Sequence, residues 1–295
     1  MITDEIQATI QAIAHNAALY AESQFVNRAE ALDELEFHVI DRLAGLAQTA
    51  DLLRLKQAAE CVKRDLESLD GALFQRLRSA IRTGDCSGTD LMRLIDRYVG
   101  QPSDRRQSAE IGYDILDQFI NGLLGIQRLP DATHAPEPEM VSYQQTPARI
   151  ILELIAQADL TPNDVFYDVG SGLGHVPMLV NLLSDATAIG VEYEPAYCAA
   201  ARACAADLNL ARVAFIHADA RAADYAAGTV FFLYTPFRGS ILQTVLEKLR
   251  TESRNRRIRI FTYGPCTLQV AQQRWLKSVG HAKNHSNTLA EWRSF

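Results

Sequence analysis

The sequence predicts an α/β domain, a mostly parallel sheet with helices on both faces, preceded by an all-helical domain. Three observations predict it. Apolar residues recur at three- and four-residue steps from residue 2 to about 125, with no β-branched alternating run among them. From residue 147 onward, short apolar strand-like runs alternate with helical stretches. Between the two lies a polar connector, residues 126–146, in which Pro130, Pro136 and Pro138 sit among Asp131, Glu137 and Glu139. Charge changes with texture: residues 1–150 carry 15 Lys and Arg against 23 Asp and Glu, and residues 151–295 carry 14 against 13, giving a net −7. The expected organisation is a helical domain over 1–125, a linker over 126–146 and an α/β domain over 147–295.

In the helical half, Ile6, Ile10, Ile13 and Ala17 line one helix face. Leu32, Leu35, Val39, Leu43 and Leu46 repeat the pattern, as do Leu55, Ala59, Val62, Leu66 and Leu69, followed by Phe74, Leu77 and Ile81. Thr89-Asp90 reads as the start of a helix through Leu94, Ile95 and Tyr98. The run Gly100-Gln101-Pro102-Ser103 breaks the pattern, and a last helix is expected over 111–124. In the second half, Pro147 can open a helix carrying Ile150, Ile151, Leu154 and Ile155. Strands are expected at 165–169, 188–193, 213–217, 229–234 and 258–263, with 288–295 ending the sheet. Helices are expected at 176–183, 197–208, 241–249 and 269–279. Right-handed crossovers put the loops that follow the strands on one edge, where ligands bind.

Composition narrows the classes. An apolar share of 48%, with 16 Gly and 10 Pro, is that of a globular chain. No run approaches the ~20 apolar residues that cross a bilayer, and the acids of MITDEIQATIQ stand where a signal peptide has bases. Cys61, Cys86, Cys198, Cys204 and Cys266 form no CxxC, so neither a disulfide framework nor a zinc finger is expected, and a cytoplasmic location fits. Net acidity argues against sequence-blind nucleic-acid binding.

The strongest chemical signal is Asp168-Val-Gly170-Ser171-Gly172-Leu-Gly174-His175, which ends a predicted strand and opens a predicted helix. The spacing is GxGxG, not the GxGxxG of nicotinamide binders, and Asp168 would repel a pyrophosphate. That disfavours a nicotinamide-dependent oxidoreductase. Glu192 ends the second strand, where a carboxylate can accept both hydroxyls of a ribose. Asp219 ends the third, where it can accept from an adenine amino group. Three acids on successive strand ends beside a glycine loop describe a site for a cationic adenosyl ligand, which S-adenosylmethionine is.

Residues 143–236 resemble the class I S-adenosylmethionine-dependent methyltransferases, with their Rossmann-like sheet. Tyr143-Gln-Gln-Thr146, Phe166-Tyr-Asp168-Val-Gly170-Ser171-Gly172-Leu-Gly174 and Gly190-Val-Glu192 are similar to the disruptor-of-telomeric-silencing histone-lysine methyltransferases. The resemblance implies that the loop carrying Tyr143 and Thr146 folds over the methionine part of the cofactor. The middle two residues of that loop differ from the family, and His175 stands at the family's glutamine. Tyr234-Thr235-Pro236-Phe237 replaces the family's Asn-rich segment. It is a loose relative of the Asp/Asn/Ser-Pro-Pro-aromatic loop of amino-group methyltransferases, which implies that Thr235 orients an amine and Phe237 offers a ring face to a cation. The acceptor implied is a protein lysine or another amine; a small molecule, a nucleic acid or a non-catalytic adenosyl-binding scaffold are the alternatives. Tyr263-Gly-Pro-Cys-Thr267, after the fifth strand, is expected to line the acceptor pocket.

Other features have plainer readings. His217 is expected in the core of a buried strand. His281 and His285 have a metal-compatible spacing but no third ligand nearby. Cys198 and Cys204 read as small packing residues. Arg250, Arg254, Arg256, Arg257 and Arg259 are expected on the edge opposite the ligand loops, and the run from Glu110 to Phe119 as an amphipathic helix. The helical domain could recognise substrate, cap the site or form a homo-oligomer.

Overall fold

The structure is a computed structural model and describes residues 2–46, 49–100, 114–280 and 287–295. It divides into two compact units, Met1–Ala80 with Met92–Leu123, and Ile81–Leu91 with Leu124–Phe295.

Every regular element among the first unit's described residues is helical. It contains α1 (Ile2–Ala14), a 3₁₀ turn (Ala17–Tyr20), and α2 (Phe25–Asp33), which runs through a π-helical stretch (Glu34–Ile40) into α3 (Asp41–Ala44). Then come α4 (Ala50–Thr83), α5 (Gly88–Val99) and α6 (Ile115–Leu124), of which Ile81–Thr83, Gly88–Leu91 and Leu124 are counted with the second unit. The periodic residues bury together as expected: Ile6, Ile10, Leu35, Val39, Leu43, Ala59 and Leu66 form one cluster. Phe25, Phe74 and Phe119 meet edge to face with centroids 5.2–5.6 Å apart. Arg28 is wholly buried and fully occupied: it donates to Asp70 at 2.7 Å and to the Leu19 and Ala21 carbonyls at 2.9 and 2.7 Å. Residues 101–113 lie outside the described residues, and with them the predicted break after Gly100 and the start of the Glu110–Phe119 run.

The second unit holds α7 (Ala148–Ala158), β1 (Val165–Val169), α8 (His175–Ser184), β2 (Thr187–Glu192), α9 (Pro195–Asp207), β3 (Val213–His217), β4 (Val230–Tyr234), α10 (Gly239–Ser253), β5 (Arg259–Tyr263), α11 (Cys266–Val270), β6 (Leu276–Val279) and β7 (Ala290–Ser294). The strands form one seven-stranded sheet in the order β3-β2-β1-β4-β5-β7-β6, parallel from β3 to β5, with β7 antiparallel to both neighbours. This is the Rossmann-like architecture expected from the sequence. β1 and β4 are near-continuous apolar runs because helices cover them on both faces. Tyr167, Val169, Phe231 and Leu233 pack on one face with Leu242, Val245 and Leu246 of α10.

Two expectations need correction. The helix predicted over 269–279 is the five-residue α11 followed by strand β6, because residues 276–279 find hydrogen-bonding partners along β7. His217 is exposed rather than buried, because β3 is the outermost strand of the sheet. Of the arginine run, Arg256 donates to the Gly228 and Tyr225 carbonyls and to Glu252, and Arg259 to Glu291 and the Ala158 carbonyl. These two hold the strand edge opposite the ligand loops in place.

Candidate adenosyl-binding site

Parallel register aligns the strand ends. Asp168 lies opposite Gly190 and Phe232, Glu192 opposite His217, and Tyr234 opposite Tyr263. After β1 the chain turns through Gly170, Gly172 and Gly174 at φ of 89°, 51° and 82°, a region that favours glycine. The amides of Gly170 and Ser171 both donate to the Val191 carbonyl, at 2.8 and 3.0 Å, which stitches the loop to β2. A side chain on Gly170 would run into Pro236, and one on Gly172 into the ring of Tyr143. The glycine loop thus has Tyr143 against it at Gly172 and Pro236 against it at Gly170.

Two carboxylates are buried beside this loop. Asp168 is 3% exposed and Glu192 9%. Glu192 Oε2 accepts from the Gly172 amide at 2.7 Å and Oε1 from the Glu194 amide at 2.8 Å. Burial raises Glu192 against those bonds. Burial, reinforced by the Glu192 charge, holds Asp168 well above the usual carboxylate range. Among the described residues neither acid has a cationic partner. Ser171 Oγ is buried beside them with no hydrogen-bond partner. His175 opens α8 and is buried, which lowers its pKa to about 3 and keeps it neutral at pH 7. Tyr143, whose ring centroid is 5.4 Å from that of Tyr197, and the buried Thr146 lie in the segment leading into α7.

Asp219 is part-buried and already gripped. Its Oδ1 accepts from the Arg221 amide at 2.7 Å, and Arg221 Nε spans both oxygens at 3.0 and 3.1 Å. This holds Asp219 below the usual carboxylate range.

Residues 234–237 close the other side. Tyr234 pairs with Tyr263, centroids 5.1 Å apart, and its hydroxyl reaches Gln144 at 3.5 Å. Thr235 has φ +41°, a strained value for a β-branched residue. Its hydroxyl donates to the Tyr263 carbonyl and accepts from the Cys266 amide, both at 3.2 Å. That hydroxyl ties the β4 loop to the β5 loop. Phe237 is 5% exposed and belongs to the core, where Met140 pairs with it, so its ring face is turned inward rather than to a ligand. The β4 and β5 loops also frame an open groove of about 580 Å³ lined by Arg238, Ser240, Gln243, Cys266, Leu268 and Gln269.

Sequence reasoning missed the role of the connector's second half. Glu194 accepts from the Thr133 hydroxyl at 2.7 Å and the His134 amide at 2.8 Å. Glu137 accepts from Arg221 at 2.5 Å. Glu139 accepts from the Ser240 hydroxyl at 2.7 Å and the Ile241 amide at 3.0 Å, and the Val141 amide donates to the Pro236 carbonyl. Residues 133–141 are therefore a strap fastened in turn behind β2, β3 and β4. Glu194-Pro195 carried a legible cap signal, since an acid before a proline at the first helical position starts α9; nothing local marks Glu137 or Glu139. Among the described residues no His, Cys, Asp and Glu cluster could hold a metal ion, and no helix is long and apolar enough to cross a membrane. His281 and His285 lie outside the described residues.

Residues 139–251 match the family described as histone methylation protein DOT1. No curated protein matches the chain. Similar solved structures include an RNA methyltransferase from Salinibacter ruber in complex with S-adenosyl-L-homocysteine, at 24% identity over 51% of this chain and 92% of that one, TM-score 0.39. They also include a precorrin-6y C5,15-methyltransferase from Geobacter metallireducens, at 15% identity over 53% and 93%, TM-score 0.40. An rRNA methylase from Streptococcus thermophilus is 15% identical over 52% and 99%, TM-score 0.37.

Proposed function

We propose, for a chain whose residues 139–251 match the DOT1 histone-methylation family, that the second unit binds S-adenosylmethionine and transfers its methyl group to an amine, with a protein lysine as the leading acceptor. The observation that carries this reading is the buried Asp168–Glu192 pair with no cation among the described residues. Buried carboxylates of this kind call for a partner of opposite charge, and a sulfonium ligand with an ammonium supplies one. Ser171 Oγ, buried and unsatisfied, supports the same fit. Asp168, Gly170, Ser171, Gly172, Gly174 and His175 would hold the amino-acid side. Glu192 would take the ribose, Asp219 the adenine edge, and Tyr143 and Thr146 would cover the ligand.

The bound cofactor supplies an activated methyl and a neutral leaving group. The chain's own residues are left with positioning. The Thr235 bonds fix the β4 and β5 loops against each other, and the Pro236–Gly170 contact fixes both against the cofactor loop. Alignment of nucleophile and methyl can be worth roughly 7–11 kcal/mol. Tyr234 and Pro236 are the part-exposed residues of the 234–237 loop, and Tyr234, with Gln144 at its hydroxyl, carries the polar group placed to touch an acceptor. The buried Thr235 and Phe237 shape that surface from behind.

A second reading, a non-catalytic adenosyl-binding scaffold, has one observation in its favour: the Thr235 hydroxyl and the Phe237 ring, the groups expected to orient an amine, are both occupied internally. Incubating the purified chain with cell extract and cofactor labelled in its methyl group separates the two. Label on protein that resists nuclease and is lost to protease supports the lysine reading. Label on nucleic acid or on small molecules redirects the acceptor. Binding without transfer to any fraction supports the scaffold.

A further inference from the structure

Arg221 is absorbed by neither the sequence reading nor the proposed chemistry, yet it joins two parts of the site. Its guanidinium spans both oxygens of Asp219, with Nη2 to Oδ2 at 2.6 Å and Nε at 3.0 and 3.1 Å. The same Nη2 donates to Glu137 of the strap. Its backbone is fixed from the far side, where Lys248 Nζ donates to the Arg221 carbonyl at 3.0 Å and to the Ala223 carbonyl at 2.6 Å. The Asp219 carboxylate is therefore ionised and locked in plane by a planar fork that is itself held at both ends. The Arg221 amide and Nε meet Oδ1, Nε and Nη2 meet Oδ2, and the Asp219 side chain stays 26% exposed beside the fork.

We propose that Arg221, braced by Glu137, is the positioning residue that makes the site select a 6-amino purine. The proposal rests on the reading of Asp219 as the adenine-edge acid. A fixed, ionised acceptor favours a ligand that presents an N–H donor and rejects one that presents a carbonyl in the same place, because the two acceptors would then face each other unpaired. A carboxylate free to rotate would relax that choice by turning away. The strap takes part because Glu137 is its contact behind β3, so fastening the strap and orienting Asp219 are one event.

The test compares S-adenosylhomocysteine with S-inosylhomocysteine, which differ at the purine 6-position, by calorimetric titration of the full chain. The wild-type chain should prefer the adenosyl ligand by tenfold or more. Arg221→Met should bring that preference down by roughly three- to tenfold, and Glu137→Gln, a milder change at a half-exposed residue, should move it in the same direction with melting unchanged. A purely structural role for Arg221 would weaken both ligands equally and leave their ratio alone, and that result would overturn the proposal. A sharper preference in Arg221→Met would also overturn it, since Arg221 would then be a competitor for Asp219. If the wild-type chain binds neither ligand, the reading of the site as adenosyl-binding has failed instead, and the two failures are told apart by that control.

Discussion

Glu192 Oε2 accepts the Gly172 amide at 2.7 Å, so the acid that ends β2 also holds the loop that follows β1. One carboxylate thereby sets the shape of the glycine turn and offers its remaining lone pairs to a ligand. Removing it should damage both. Glu192→Gln turns a donor group toward an amide that also donates, and a hydrogen bond to a charged group is worth about 1.5–3 kcal/mol. The expected result is a fall of ten- to a hundredfold in affinity for S-adenosylhomocysteine, read by calorimetry.

Asp168 gives the opposite trade. Its folded pKa is raised by burial and by Glu192, so its contribution to stability is present at low pH, where it is protonated, and is lost as pH rises through the folded value. Asp168→Asn keeps the shape without the buried charge. At neutral pH the ligand-free variant should melt higher than wild type, by an amount equivalent to about 1–3 kcal/mol, while losing cofactor binding. In the wild type, cofactor affinity should increase with pH as Asp168 ionises. Thermal melts with and without ligand at several pH values check both statements.

The strap has its own pH signature. Glu194, held by the Thr133 hydroxyl and by the Ala196 and His134 amides, has its pKa lowered from 4.5 to about 2 despite the opposing effect of burial. A depressed carboxylate contributes stability that is present above the unfolded pKa and lost as pH falls through the folded one. The melting difference between wild type and Glu194→Gln should be full above about pH 5 and should vanish near pH 2.

Thr235 separates positioning from cofactor binding. Thr235→Val keeps the branched shape but leaves the Cys266 amide and Tyr263 carbonyl without the hydroxyl that joins them. Each buried group left unpaired costs about 1–3 kcal/mol. Affinity for S-adenosylhomocysteine should stay within about twofold of wild type while kcat/KM for the acceptor falls tenfold or more, because the loops that shape the acceptor surface lose their tie. Thr235→Ser should restore most of the loss.

Much of this edge was legible in the residues. The glycine turn, its helix and the strand ends bearing Asp168 and Glu192 follow from short-range pattern, because buried parallel strands read as continuous apolar runs and the φ values of that turn favour glycine. What pattern could not supply was long-range pairing. Residues 276–279 became a strand because a later segment, Ala290–Ser294, folds back beside them. The connector's prolines and acids suggested a linker, whereas Glu137 and Glu139 meet partners 84 and 102 residues away in sequence. Phe237 is bridged to Met140, and the Thr235 hydroxyl is occupied by Tyr263 and Cys266. No local rule reports contacts of that range.

Under the proposed function, Asp168 and Glu192 at the ends of β1 and β2 and Asp219 just after β3 form an adenosyl site for a cationic cofactor. Calorimetric titration of the purified chain with S-adenosylhomocysteine, with NAD as control, tests it most directly. One site per chain is expected for the first ligand, no binding of the second, and loss of the site in Asp168→Asn. Absence of binding by the wild-type chain, or equal binding by Asp168→Asn, would contradict it.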